Sequence, residues 1–161
     1  MLDFSVILEK CGVGKLSSQA VVENMANLEE FYDASELVEI YNYFLTTVEE
    51  PEILMSVIKL ADAYKAASTL SILLDILLLK KENIKDVDNL INVRVLAAKA
   101  ISNYKDTSTV GALLYCLNDK HENYKVRLAC ADALGRIGDR FAVEPLIDVV
   151  KDENEKSVYV K

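Results

Sequence analysis

The chain has 161 residues, 52% hydrophobic and 27% charged, with five glycines, two prolines and a formal net charge of −8. So acidic a chain lacks the clustered Lys and Arg that phosphate binding requires, which excludes a nucleic-acid binder. Its longest apolar run, Leu70 to Leu79, is broken by Asp75 and is too short for a membrane span, and no basic region precedes an apolar core at the N-terminus. These features predict a cytoplasmic protein that contacts neither nucleic acid nor membrane.

One pattern recurs along the chain: an apolar stripe of helical period (helix A), a turn, and a second stripe (helix B). Residues 2–15 carry only a B-type stripe, Phe4, Ile7, Leu8 and Cys11, and are predicted to cap an array as a half-repeat. The GVGKLS that follows ends like a phosphate loop. It has Glu9 where the first glycine is needed and Leu16 after Lys15, so that reading fails. The first full repeat, about 18–48, buries Val21, Met25 and Leu28, then Leu37, Ile40 and Phe44. The second, about 51–89, uses Ile53, Val57, Ala61 and Tyr64, then Leu70, Leu73 and Leu77. A polar insert from Lys80 to Asn89 lengthens it. The third, about 91–121, sets Val93, Ala97, Ala100 and Ile101 ahead of Val110 and Leu113.

The fourth repeat, about 124–153, is the clearest. Val126, Ala129, Cys130, Ala133, Leu134 and Ile137 form its A stripe, Gly138 suits the left-handed residue that ends a helix, and Asp139 suits a cap. Pro145 belongs in a first turn, so helix B should start near Phe141 or Ala142 and bury Val143, Leu146, Ile147 and Val150. Residues 157–161 begin a further helix A, which leads to two expectations: a longer solenoid, or self-association that covers an uncapped C-terminal end.

The string from Val126 to Ile147, VRLACADALGRIGDRFAVEPLI, resembles the HEAT-like repeat of the phycobilisome-lyase type. The resemblance implies an all-α solenoid of about four helical hairpins in a right-handed superhelix, forming one domain over 1–161, with B helices along the concave side. It implies no single activity, because such repeats occur in chromophore-lyase subunits and in scaffolds alike.

Candidate chemistry is sparse. His121, the one histidine, sits beside Glu122 in a loop between repeats, and one such pair cannot supply a metal-ligand set or a catalytic triad. The cysteines at 11, 116 and 130 share no metal-ligand spacing and two lie on core stripes, so they read as reduced core residues. No cofactor, metal site or catalytic residue is predicted. Asp106 and Asp139 recur at the A-to-B turn as caps, and Arg94 and Arg127 recur near the start of helix A, where a ladder with those aspartates is expected. Charge is uneven: residues 1–90 carry 16 acids and 7 bases, a net of −9, against 10 acids and 11 bases, a net of +1, in residues 91–161. The acidic stretch 16–58 is a solvated face or a docking patch for a basic partner.

With the buried positions removed, the B helices offer outward rows. Ser35, Ser68, Ser108 and Phe141 form one; Val38, Ser71, Gly111 and Glu144 the next; Asn42, Asp75, Tyr115 and Asp148 the central one; and Leu45, Leu78, Asn118 and Lys151 the last. Four helices about 10 Å apart and about 18 Å long present roughly 700 Å², close to one side of a standard interface. The predicted function is a scaffold or adaptor that binds a protein or peptide through Asn42, Asp75, Tyr115, Asp148, Ser71, Gly111, Glu144 and Asn118. The alternatives are a subunit of a bilin-lyase-like modifying complex and a structural segment of a larger solenoid.

Overall fold

The computed structural model describes residues 1–78, 87–155 and 160 of the chain. Nine α-helices lie among them: α1 (Phe4–Cys11), α2 (Ser18–Ala26), α3 (Ala34–Thr47), α4 (Pro51–Asp62), α5 (Ala67–Leu78), α6 (Val87–Tyr104), α7 (Val110–Asn118), α8 (Tyr124–Ile137) and α9 (Val143–Lys151). No strand occurs among the described residues. The architecture is all-α and of the solenoid kind: α2 and α3, α4 and α5, α6 and α7, and α8 and α9 fall on the A and B stripes of the expected repeats, and α1 on the expected lone B-type stripe.

Local sequence explains where the helices start and stop. The side chains of Asp3, Ser17, Asp33 and Asn123 each accept a hydrogen bond from a first-turn N–H, and Asp33 forms a reciprocal capping box with Glu36. Pro51 opens α4, where its missing N–H costs nothing. The A-to-B turn needs a left-handed residue, and three repeats place one at the same position: Lys65 (φ 50°), Lys105 (φ 51°) and Gly138 (φ 71°). Only glycine adopts that conformation without a Cβ clash. After the turn, Asp106 accepts from the N–H of Ser108 and Asp139 from that of Phe141, so both aspartates cap the short 3₁₀ turns (Thr107–Thr109 and Arg140–Ala142) that lead into α7 and α9.

The contacts divide the chain into two compact units, Met1–Ile72 and Leu73–Lys161. In the first, Ile7, Cys11, Val21, Met25, Leu28, Leu37, Ile40 and Phe44 are buried as the periodicity predicts. Phe4 stacks on Tyr43 with ring centroids 4.8 Å apart, and the Asn24 amide donates to the Cys11 carbonyl, tying α1 to α3 and α2. Leu45, assigned above to an outward row, is buried instead. It is the residue after Phe44 at the end of α3, where the apolar face widens to take in neighbouring positions.

In the second unit α6 and α8 lie side by side and α7 packs against α8. Val93, Ala97, Ala100 and Ile101 of α6 and Val126, Cys130, Ala133 and Leu134 of α8 form its core with Val110, Leu113 and Leu117 of α7. α6 starts at Val87, inside the stretch assigned to a polar insert; Asp88 in its first turn complements the positive helix end. The rest of that insert, residues 80–86, lies outside the described residues, as do residues 157–159 and 161 of the expected further helix.

The expected ladder of arginines with aspartates does not form. The Arg94 guanidinium instead grips Glu122 in a two-pronged pair, 2.9 and 2.6 Å, while its Nε donates to the Leu77 carbonyl at 2.9 Å. Arg127 repeats this with Glu155 and the Leu117 carbonyl. The turns Asp119–Glu122 and Asp152–Glu155 share one geometry: each aspartate side chain accepts from the N–H two residues on, and its carbonyl accepts from the glutamate N–H. All four charged side chains are buried, and the Glu155 hydrogen bond holds the Arg127 guanidinium even more firmly protonated than usual. Asp106 and Asp139 are too near the solvent, and already engaged by the turn N–H groups, to serve as the partners.

The B stripe of α9 also departs from expectation. Ala142 and Val149 are buried, whereas Val143, Ile147 and Val150 are 54, 44 and 56% exposed. The expected stripe treated the fourth repeat as flanked like the third, and among the described residues no element covers that side of α9.

Candidate protein-binding face

The B helices of the second unit display the outward positions that the spacing predicts. Asp75 and Leu78 on α5, Ser108 just before α7, Gly111, Tyr115 and Asn118 on α7, and Phe141, Glu144, Asp148 and Lys151 on or just before α9 are all exposed. Each follows from helical period: α7 turns Leu113, Cys116 and Leu117 inward, and the residues between them at Gly111, Tyr115 and Asn118 are left on the other side.

The side chains at these positions are not engaged within the protein. Asp75, Tyr115, Asn118, Glu144 and Asp148 make no hydrogen bond or ion pair with other described residues, in contrast to the buried Arg94, Glu122, Arg127 and Glu155. Tyr115 stands 64% exposed, an unusual position for so large a ring. A Cβ added to Gly111 would meet nothing within 4 Å, so the backbone of α7 is open to close approach one turn before Tyr115. Phe141 is exposed as well, with the Arg140 guanidinium carbon 5.2 Å from its ring centroid. Beside this face opens a cavity of about 240 Å³ lined by Asn118, Asp148 and the buried Arg127–Glu155 pair.

The first-unit members behave differently. The Asn42 amide donates to the Ser68 hydroxyl at 3.0 Å and its oxygen accepts from Thr69 at 2.7 Å, so Asn42 is a tie between α3 and α5. Ser71 is exposed on the part of α5 that belongs to the first unit. In the second unit Asp75, Gly111, Tyr115, Asn118, Glu144 and Asp148 are all exposed positions of the B helices, whereas Asn42 and Ser71 belong to the first unit.

Spacing alone did not pick out the arginine–glutamate clamps. Their signal is present: Arg94 and Arg127 recur at 33 residues, as do Asp119 with Asp152 and Glu122 with Glu155. The Glu122 carboxylate being taken by Arg94, His121 is left as an exposed loop side chain whose backbone N–H bonds Asp119. Cys116 and Cys130 are buried neighbours, and the hydrogen bond between them, with burial, raises the Cys130 thiol far above its ordinary range. Among the described residues no three His, Cys, Asp or Glu side chains are placed to hold a metal ion, and no helix is long and apolar enough to cross a membrane.

Paired helices that recur in the second unit, with exposed side chains along their B helices, are those of a helical-repeat protein. Residues 82–159, the third and fourth repeats, match the model of the HEAT repeats family. No curated protein matches the chain.

Proposed function

We propose that the chain is a protein-interaction module, a scaffold or adaptor, whose second unit receives a protein or peptide across the outward row of α5, α7 and α9. The observation that carries this reading is the contrast in engagement: polar and aromatic side chains on that row are exposed and unengaged, while the charged groups beneath them are fully paired. Tyr115 is the anchor, an exposed rigid aromatic of the type enriched at interface hot spots. Asp75, Glu144 and Asp148 supply acceptors and negative charge around it, and Gly111 lets a partner backbone approach closely. HEAT repeats, which match this half of the chain, commonly serve as interaction scaffolds, and solenoids present extended faces of this kind.

The test is affinity capture with the intact chain beside a variant carrying Asp75→Lys, Tyr115→Ala and Asp148→Lys. All three side chains are exposed, so the variant should fold. Partners held by the intact chain and lost by the variant support the reading. Equal recovery by both overturns it.

A further inference from the structure

The exposed apolar stripe of α9 belongs to none of the contacts above. Val143, Ile147 and Val150 fall at i, i+4 and i+7 and form one face of the helix, flanked along one edge by Glu144 and Lys151, with Asp148 farther round. The preceding repeat shows what such a stripe is shaped to do. Its equivalents 33 residues earlier are Val110, Leu114 and Leu117; Val110 is 6% and Leu117 0% exposed and Leu114 is half-buried, on a helix packed against α8 and the Arg140–Ala142 turn of the following repeat. The position is built to be covered by helix.

We propose that two copies of this chain pair through α9, antiparallel, about a two-fold axis close to Ile147. Charge favours a second copy as the occupant. α9 carries Glu144 in its first turn and Lys151 in its last, so an antiparallel copy sets the Glu144 of each chain beside the Lys151 of the other, at the two ends of one rim of the apolar strip. The two helix dipoles then oppose one another favourably. The half that carries α9, residues 91–161, has 11 bases and 10 acids, so its close approach to its own copy meets little repulsion, unlike residues 1–90 with their net of −9. An interface centred on one short helix is small, which makes the pairing concentration-dependent.

Sedimentation of the full chain across a concentration series tests this directly. A dimer that dissociates on dilution is expected, and Ile147→Asp should abolish it while Tyr115→Ala leaves it intact. Both positions are exposed, and a thermal melt of each variant confirms that folding is retained. Glu144→Lys and Lys151→Glu should each weaken the dimer several-fold, and the two together should restore it. A chain that stays monomeric at the highest concentration overturns the proposal. So does a dimer indifferent to Ile147→Asp, or one that the double charge reversal fails to restore.

Discussion

The third and fourth repeats carry the same pattern and meet different surroundings. In the third, Val110 and Leu117 are buried beneath the repeat that follows; in the fourth, Val143 and Val150 occupy the same places and stand more than half exposed. An apolar period thus records which side chains could be buried, and a neighbour decides whether they are. Other features are identical in the two repeats because they are local or reach only to the adjoining turn: the aspartate caps at 106 and 139, and the arginine clamps from 94 and 127.

That comparison makes the clamps the place to press hardest. Arg127→Ala strands Glu155 in a buried site, and Arg94→Ala does the same to Glu122, so each should cost about 3–5 kcal/mol in urea unfolding. Replacing both partners, Arg127→Met with Glu155→Leu, should recover most of the loss. Unequal costs for the two single variants would break the equivalence of the repeats.

Covered and open stripes come next. Leu117→Ala removes a fully buried side chain and should cost about 2–5 kcal/mol, whereas Val150→Ala, at an exposed position, should fall within about 0.5 kcal/mol of the parent under conditions where the chain is monomeric. Similar losses at both sites would mean that α9 is covered in solution even without a second copy.

The turn residues sharpen the comparison on a smaller scale. Lys105 and Gly138 hold the same left-handed position, so Lys105→Gly should stabilise by up to about 1 kcal/mol and Gly138→Ala should destabilise by about 1 kcal/mol. Thermal melts of the pair would show opposite signs.

The smallest effect is electrostatic. The Ser108 hydroxyl and N–H hold the Asp106 carboxyl below its ordinary 3.8, and the Lys120 ammonium does the same for Asp152. A folded-state value below the unfolded one gives stability that is complete above about pH 4 and is lost as pH falls through the folded value. Asp106→Asn should therefore flatten the decline of melting temperature below pH 4 and leave the protein little changed at pH 7.

Most of the helical layout was legible in the sequence, because a stripe such as Val93, Ala97, Ala100 and Ile101 can only be buried by a helix, and Gly138 and Pro145 mark ends by their own backbone chemistry. Pairing across loops was not. Arg94 finds Glu122 28 residues away, and only the shared 33-residue recurrence of both hints at it. The outward set on α5, α7 and α9 was readable from what the core left over. Asn42 misled for a simple reason: an amide can satisfy itself on Ser68 and Thr69, which spacing places near it without saying that they bond. The open stripe of α9 was invisible because periodicity carries no information about which neighbour is present.

The reading as an interaction module stands or falls on where a bound partner touches the second unit. Hydroxyl-radical footprinting of the chain with a captured partner measures that directly. Protection centred on Tyr115 and Phe141, with the exposed Leu128 and Tyr124 of α8 unchanged, is the predicted result; protection of α8 with Tyr115 still fully reactive would contradict it.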